Sequence, residues 1–273
     1  MASHIDAPVR DGKSTSPGAR SPFDPKSRLA DSTMQVLLSG LAALTLTLFP
    51  AFTTASQAET GENAFAKARA RMVDEQIAAR GVKDARVLKA MREVPRHLFV
   101  PLNEREYAYE DEPLPIGNDQ TISQPYIVAV MTELARPAAT DRVLEVGTGS
   151  GYQAAVLSAL VDHVYTIELV EPLATTAATR LAELGFRNVT VRAGDGYAGW
   201  PDRAPFDIIM VTAAPDHIPQ PLLDQLKPGG RMIVPVGPVG ATQQLRLIEK
   251  TAGGLLRTTD IAAVRFVPLL RSP

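Results

Sequence analysis

The chain has 273 residues, of which 45% are hydrophobic and 21% charged, and its formal net charge at pH 7 is −2. This length and composition are typical of a globular protein that buries its core without disulfides or metals, and the near-neutral charge favours neither nucleic acid nor an anionic membrane as a partner. The absence of cysteine excludes disulfides, thiolate metal sites and cysteine nucleophiles, and the four scattered histidines lack zinc-binding spacing. We therefore predict a protein without a metal.

The first sixty residues differ from the rest. Residues 1–33 are rich in Ser, Pro, Asp and Arg without periodicity, which predicts a disordered extension. Residues 34–58 contain an apolar, uncharged stretch followed by small residues, the layout of a secretory signal peptide cleaved after Ala55 or Ala58. An uncleaved membrane anchor is the alternative, because about 17 apolar residues can just span a bilayer; a buried core helix fits less well. The globular domain is predicted over residues 59–273.

The first part of this domain, residues 59–136, combines helices with a long loop. Helical spacing predicts a helix over 63–80 and a second, shorter helix that Asp84 caps. Residues 95–124 contain four prolines and little periodicity, which predicts a long ordered loop with short strands at most. Loops of this length are uncommon in compact domains unless they are functional. The next helix is predicted to start at Pro125.

Residues 137–250 alternate strand and helix patterns. The predicted strands are RVLEVG, HVYTIE, NVTVRAGDG, FDIIMVTAA and RMIVPVG, and helical patterns separate them. This rhythm predicts an α/β fold with a doubly wound, mostly parallel, Rossmann-like sheet that has helices on both faces. The segments QQLRLIEK and LLRTTDIAAVRFVPLL alternate apolar and polar residues, so we expect added antiparallel strands at the C-terminus, the latter within residues 251–273.

A glycine-rich motif closes the first of these strands and opens a helix. It reads EVGTGSGY, with Glu145 followed by Gly147, Gly149 and Gly151. Glycines let the backbone approach a ligand closely and expose amide groups at the helix N-terminus. The spacing is G-x-G-x-G, which differs from the G-x-G-x-x-G of dinucleotide folds because Tyr152 follows the third glycine.

Acidic residues follow the next two strands. Glu168 closes the second strand, where a carboxylate can accept hydrogen bonds from ribose hydroxyls. Asp195 and Gly196 follow the third, where a carboxylate can accept from the amino group of adenine. Each alone could be a charge near a helix cap or a turn residue. Because all lie at the carboxyl ends of successive strands, together they predict a nucleoside ligand.

These motifs resemble a known family. EVGTGSG with the downstream acid, GDG and LKPGGRMIVPVG resemble the class I S-adenosylmethionine-dependent methyltransferases. The ordered segments RHLFVP, LPIGNDQTISQP, VLEVGTGSGYQAAVLS, FDIIMVTAAP and VRFVPL resemble the protein-L-isoaspartate O-methyltransferase family, and they extend from residue 70 or so to the C-terminal region. The first sixty residues lie outside the resemblance.

The resemblance implies a reaction. The family transfers a methyl group from S-adenosyl-L-methionine to the free carboxylate of L-isoaspartyl residues in damaged proteins and peptides, and leaves S-adenosyl-L-homocysteine. The methyl ester then leads to repair through a succinimide. A carboxylate is already ionised at neutral pH, so the reaction needs no general base. What remains is to align the reacting atoms and exclude water.

The resemblance also assigns residues to the cofactor. The methionine and ribose cradle is expected from the glycine motif, the ribose contact from Glu168, and the adenine contact from Asp195. The full set of expected cofactor residues is Glu145, Gly147, Thr148, Gly149, Ser150, Gly151, Glu168, Asp195, Gly196 and Thr212.

The remaining expected residues concern the substrate. Ser123 is the active-site serine of the family pattern, and we expect its hydroxyl to orient the substrate carboxylate, because no partner base supports a nucleophilic role. Ser123 or Gln124 could also cap the helix that starts at Pro125. The other expected substrate residues are Thr121, Ile122 and Gln124 beside the methyl group and Val264, Arg265 and Phe266 along a peptide groove.

Two other functions stay open on the sequence, a small-molecule carboxyl methyltransferase and a non-catalytic exported binding protein. The cofactor requirement and the resemblance predict a cytoplasmic enzyme, whereas residues 34–58 favour export to the periplasm or membrane anchoring. Membrane contact is expected only through residues 34–52. The expected partners are isoaspartyl proteins and peptides, and we expect a monomer.

Overall fold

The computed structural model describes residues 52–272, and their side chains from residue 61 onward. The predicted disordered extension and the apolar stretch up to residue 51 lie outside these residues. No helix in the described part of the chain is long and apolar enough to cross a bilayer. The compact unit that carries the site begins at Ala58; the predicted division of residues 59–273 into three parts stays a prediction.

The N-terminal helices agree with the sequence pattern. Helix α1 spans Phe52–Arg71 and continues through a π-helical turn and a 3-10 turn that ends at Arg80, so it is longer than predicted. Helix α2 spans Ala85–Glu93, and the Asp84 side chain accepts the Arg86 N–H at 2.9 Å, which confirms the predicted cap. Helix α3 spans Pro125–Ala135.

The predicted loop before α3 is ordered by short elements. Two 3-10 turns, Arg96–Phe99 and Leu102–Tyr107, are followed by a small antiparallel hairpin of strands β1 (Leu114–Gly117) and β2 (Gln120–Ile122). The hairpin places the end of β2 directly before the first turn of α3.

A seven-stranded sheet forms the centre of the domain. Its order is β5-β4-β3-β6-β7-β8-β9, with β3 to β7 parallel and the last two strands antiparallel. This confirms the predicted fold class. The strands are β3 (Arg142–Val146), β4 (His163–Glu168), β5 (Val189–Ala193), β6 (Phe206–Val211), β7 (Leu226–Val236), β8 (Gln243–Lys250) and β9 (Leu256–Val264). The remaining helices are α4 (Tyr152–Ser158), α5 (Glu171–Glu183) and α6 (Gln220–Gln225).

Strand β3 lies in the interior of the sheet, between β4 and β6, and is buried on both faces. Val143, Leu144 and Val146 are fully buried, as expected for a parallel strand covered on both sides. One hydrophobic core packs α2, α3 and α4 against one face of the sheet, and a second core that includes Trp200 and Leu222 covers the other. Because β3 is parallel to both β4 and β6, the carboxyl ends of the three strands lie at the same end of the sheet. Open doubly wound sheets bind ligands at this end.

Candidate active site

The glycine motif turns the chain sharply between β3 and α4. Gly147, Gly149 and Gly151 have φ values of 99°, 52° and 88°, which L side chains rarely adopt. A Cβ atom on Gly147 would also lie 2.6 Å from Thr212 Oγ1. Only glycine therefore fits this position, which brings β3 and the loop after β6 together.

A cleft lies beside this loop and encloses about 720 Å³, counting its open mouth. One wall consists of residues 146–150 of the glycine loop with Glu145, Glu168 and Leu169, and a second of Gln120, Thr121, Ile122 and Ser123. Gly151, which was expected at the cofactor, does not line the cleft. The remaining lining residues are Val128, Tyr152, Gln153, Ile167, Gly196, Thr212, Ala213 and Val267, Pro268, Leu269 and Leu270.

Glu168 fixes the glycine loop to the end of β4. Its Oε2 accepts the Gly149 N–H at 2.8 Å, and its Oε1 accepts the Val170 N–H at 3.0 Å. The carboxylate is 7% exposed and lines the cleft. Each oxygen has a second lone pair, so Glu168 can hold the loop and still accept from a ligand.

Glu145 is a fully buried carboxyl group in the same wall. Its Oε2 accepts the Thr166 hydroxyl at 2.5 Å, and Thr166 Oγ1 in turn lies 2.6 Å from Thr148 Oγ1. Its Oε1 has no hydrogen-bond partner among the residues the structure describes. Burial raises the pKa of Glu145 to about 8, although the Thr166 hydrogen bond opposes the rise. The unpartnered oxygen is therefore available to a cationic or N–H donor.

Three more expected cofactor residues, Thr212, Asp195 and Gly196, differ in their relation to the cleft. The Thr212 hydroxyl donates to the Gly147 carbonyl at 2.6 Å. Thr212 therefore holds the glycine loop, and it also lines the cleft. Asp195 Oδ1 accepts the Tyr197 N–H at 2.9 Å, and Asp195 does not itself line the cleft. Its neighbour Gly196 does, and a Cβ there would lie 2.5 Å from Val146 Cγ1.

The predicted substrate segment faces the glycine loop, except for Gln124. Thr121, Ile122 and Ser123 line the cleft. Gln124 is the N-cap residue of α3, but no side chain caps the helix. Its side chain instead donates from Nε2 to the Asp111 carbonyl at 2.8 Å. Gln124 therefore occupies the predicted N-cap position, but its side chain bonds the preceding loop and not the helix N-terminus.

The C-terminal segment contributes different residues from those expected. Val264 is buried at the end of β9, Arg265 is exposed, and the Phe266 N–H donates to Gln243 Oε1 at 2.9 Å; none of the three lines the cleft. The chain then runs beside Ala214, which bonds both Val267 and Leu269. The cleft is lined by residues 267–270, which directly follow the three expected residues in the chain.

Sequence reasoning missed several lining residues. Gln120, Leu169 and Gln153 line the cleft. Each lies next to a recognised motif in the chain, and this proximity is the only sequence signal that could have identified them. Within the described residues, no group of three or more His, Asp or Glu side chains could hold a metal ion.

Comparison with known proteins identifies the family. The family model described as "Protein-L-isoaspartate(D-aspartate) O-methyltransferase (PCMT)" matches residues 67–272. A protein of Opitutus terrae named "Protein-L-isoaspartate O-methyltransferase" is 53% identical over 231 residues, which cover 85% of this chain and 96% of that protein. A Syntrophobacter fumaroxidans protein named "Protein-L-isoaspartate O-methyltransferase 2" is 63% identical over 186 residues, or 68% of this chain and 75% of its own.

Solved structures agree. A protein-L-isoaspartate O-methyltransferase aligns with a TM-score of 0.66 and 33% identity over 73% of this chain and 65% of that chain. A Plasmodium falciparum structure in complex with S-adenosyl-L-homocysteine shares the fold, with a TM-score of 0.64 and 24% identity over 75% of this chain and 99% of that chain. The order of the strands, the glycine cleft and these matches lead to one conclusion: the chain belongs to the protein-L-isoaspartate(D-aspartate) O-methyltransferase family.

Proposed function

We propose that this chain transfers a methyl group from S-adenosyl-L-methionine to the free carboxylate of L-isoaspartyl residues in damaged proteins and peptides. The observation that carries the proposal is that the glycine loop and the segment Thr121, Ile122 and Ser123 line one and the same cleft. Family membership supplies the identity of the two substrates. The methyl ester product would start repair through a succinimide.

The residues present fit the cofactor. When bound, S-adenosyl-L-methionine supplies an electrophilic methyl group carried by a sulfonium. Glu145 offers a buried carboxylate oxygen that has no partner among the described residues, which suits an ammonium group. The glycine loop offers a backbone surface without side chains, and Glu168 offers lone pairs for hydroxyl donors. Asp195, next to the lining residue Gly196, is assigned to the adenine end by the resemblance.

Ser123 is proposed to orient the substrate carboxylate by donating a hydrogen bond. No histidine or lysine is among the residues that line the cleft, and the carboxyl groups of Glu145 and Glu168 bond Thr166 and the backbone N–H groups of Gly149 and Val170, not Ser123, so we propose no nucleophilic role for the serine. The substrate carboxylate is already ionised near neutral pH and needs no base. Thr121 and Ile122 are proposed to position the isoaspartyl residue. Val264, Arg265 and Phe266 are proposed to contact the flanking peptide outside the cleft.

The walls also exclude water from the reacting atoms. Ile122 is buried, and the apolar side chains of residues 267–270 form the opposite rim. Exclusion of water strengthens the electrostatic contacts inside the cleft and prevents hydrolysis as a side reaction. Alignment of the reacting groups can then supply several kcal/mol of the barrier reduction.

We also propose that the enzyme acts in the cytoplasm, because its methyl donor is made there. We propose that it acts as a monomer. Export or anchoring through residues 34–58 is the alternative, with membrane contact limited to residues 34–52. Fractionation of cells and sequencing of the mature N-terminus would distinguish the two.

The test of the activity uses the full chain with methyl-labelled cofactor and two peptides that differ only in an isoaspartyl or an aspartyl linkage. We expect a base-labile methyl ester on the isoaspartyl peptide alone. No ester on that peptide would overturn the proposal. Efficient labelling of small carboxylic acids in its place would favour the small-molecule methyltransferase, and absence of cofactor binding would favour the non-catalytic binding protein.

A further inference from the structure

Arg96 is a fully buried arginine outside the cleft. It starts the 3-10 turn that follows α2, and its Nε–H donates to the Ala108 carbonyl at 2.8 Å. Its Nη1 and Nη2 atoms have no hydrogen-bond partner among the residues the structure describes. Buried arginines are rare unless they are paired, because a desolvated charge costs several kcal/mol.

Two further buried acceptor atoms belong to residues that bond or lie in the same segment as the Arg96 partner Ala108. Gln76 donates from Nε2 to the Tyr109 carbonyl at 3.0 Å, and its Oε1 is buried without a partner among the described residues. Asp111 accepts from Arg80 Nη1 at 2.5 Å through Oδ2, and its Oδ1 is likewise buried without a described partner. Burial lowers the pKa of Arg96 to about 10, while the charge of Asp111 opposes this shift.

These unpartnered atoms cluster around one short stretch of backbone. Arg96 and Gln76 bond the successive carbonyls of Ala108 and Tyr109, and Asp111 follows two residues later. The guanidinium offers N–H donors, and Gln76 and Asp111 each offer an acceptor oxygen. Buried polar atoms in native proteins are nearly always bonded, either to protein or to ordered water. Internal water that makes two to four such bonds is a normal structural part of proteins.

The same stretch connects to both walls of the cleft. The Asp111 carbonyl accepts the Gln124 side chain at 2.8 Å, and Gln124 directly follows Ser123. The Arg80 guanidinium lies 3.5 Å from the centre of the Tyr126 ring in the first turn of α3. On the other side, the Arg96 guanidinium lies 5.0 Å from the centre of the Tyr152 ring, and Tyr152 lines the cleft after the glycine loop.

We propose that Arg96 is a positioning residue for the substrate wall: internal water bridges its guanidinium to Asp111 and Gln76, and this network holds Ser123 in place through Gln124. Arg96 touches neither substrate nor cofactor. The network fixes the loop on which Gln124 is anchored, and so sets how the wall of Thr121, Ile122 and Ser123 faces the glycine loop. The effect on catalysis rests on the proposed methyl transfer, whereas the structural part of the inference does not.

The kinetic test replaces the two charged members of the network in the full chain. Arg96→Met keeps the apolar length of the side chain and removes its charge, and Asp111→Ala removes the Oδ1 acceptor. We expect each variant to raise the KM for the isoaspartyl peptide about tenfold, with a cofactor Kd within about twofold of the parent. The double variant should lose less than the product of the two single losses, and Arg96→Lys, which keeps a charge, should recover part of the loss.

The matched control is Arg92→Met. Arg92 lies on α2, one turn before Arg96, and pairs with Asp74 at 2.6 Å on the surface, with no contact to Asp111 or Gln124. Its kinetic constants should stay at parental values. Multiplicative losses in the double variant, or equal losses in Arg92→Met and Arg96→Met, would overturn the proposal.

A measurement without turnover separates this inference from the proposed function. In hydrogen–deuterium exchange, Arg96→Met should make the amides of residues 107–124 exchange several times faster, while Arg92→Met should not. A high-resolution crystal structure should show water bonded to Arg96 Nη1 or Nη2. Unchanged exchange, or a dry guanidinium, would overturn the network even if methylation is observed. Failure of the parent to methylate the isoaspartyl peptide, with exchange altered as expected, would overturn the proposed function alone.

Discussion

The two walls of the cleft are built in different ways. The cofactor wall is local in sequence: a strand end, three glycines and a helix start, closed by Glu168 from the neighbouring strand. The substrate wall depends on contacts between distant segments, such as Gln124 with Asp111 and the C-terminal tail with Ala214. The cofactor wall therefore depends mainly on the local conformation of one glycine-rich turn, whereas the substrate wall depends on contacts between segments that are distant in sequence. Mutations in the two walls should therefore differ in kind.

The largest effect is expected from Gly147→Ala in the cofactor wall. The new Cβ would lie 2.6 Å from Thr212 Oγ1 at a φ of 99°, so the loop must shift. Calorimetry should show cofactor affinity reduced at least a hundredfold. Gly185→Ala is the control, because Gly185 has a φ of 84° with no atom within 4 Å of an added Cβ. It should cost about 1–2 kcal/mol of stability and leave cofactor binding intact.

Ser123→Ala tests the substrate wall directly. Loss of the orienting hydroxyl should lower turnover on the isoaspartyl peptide by about ten- to a hundredfold, while cofactor affinity changes little. Kinetics and calorimetry on the same preparation measure both. Ser158→Ala is the control: it removes a buried hydroxyl that donates to the Ala155 carbonyl inside α4, away from the cleft, and should leave turnover unchanged. Equal losses of turnover and cofactor affinity in Ser123→Ala would show that Ser123 has no specific role in the substrate wall.

Glu145 gives the cofactor wall a pH dependence that the substrate wall lacks. Its pKa in the folded protein, about 8, lies above the ordinary value of 4.5, so the folded state binds the proton more tightly than the unfolded state. The stability that Glu145 contributes is therefore present below pH 4.5 and is lost as pH rises through about 8. The loss should be on the order of a few kcal/mol.

Denaturant unfolding of the cofactor-free protein at a series of pH values measures this effect. Glu145→Gln should remove most of the fall in the free energy of unfolding between pH 5 or so and pH 8. The exposed Glu183→Gln serves as the control and should follow the parent curve. A Glu145→Gln curve that falls as steeply as the parent curve would show that Glu145 does not titrate in this range.

The smallest effect is expected at the edge of the C-terminal tail. The Arg271 guanidinium lies 3.9 Å from the centre of the Tyr197 ring and 3.7 Å from Asp216, and all these charges are largely exposed. Such contacts contribute about 0–1 kcal/mol and weaken with salt. Arg271→Ala should therefore raise cofactor Kd and peptide KM no more than severalfold, and 0.5 M or so of salt should remove the difference. The control Arg257→Ala on β9 should change neither constant. An increase of Kd or KM by more than severalfold in Arg271→Ala would show that the C-terminal tail contributes more to binding than expected.

Eight of the ten residues expected at the cofactor line the cleft, whereas Gly151 and Asp195 do not. The agreement is this close because the signals of the cofactor wall are short-range, and binding of the cofactor by these residues stays a prediction. The alternation of strands and helices, the positive-φ glycines and the position of Glu168 all follow from residues close together in the chain. The location of Ser123 in the cleft came from the resemblance. Cofactor and reaction were named on the same basis, and family membership agrees with them.

The substrate wall was less predictable for physical reasons. Val264, Arg265 and Phe266 were expected along a peptide groove. Because β9 ends at Val264 and the Phe266 N–H donates to Gln243 Oε1, residues 267–270 line the cleft and these three do not. Gln124 was expected to act near the substrate, and its side chain instead reaches Asp111. The burial of Arg96 had no signal at all, since arginine is ordinarily a surface residue.

The hydrogen bond from Gln124 to Asp111 matters for protein engineering. Because it joins the helix start to the loop before the hairpin, the residues from Gln76 to Gln124 form one unit that would have to be exchanged together to graft a new acceptor specificity. A chimera that replaced only Thr121, Ile122 and Ser123 would keep the original hydrogen bond from Gln124 to Asp111, and with it the original position of the segment. The glycine loop could remain untouched in such a graft, since Glu168 and Thr212 hold it from the opposite side.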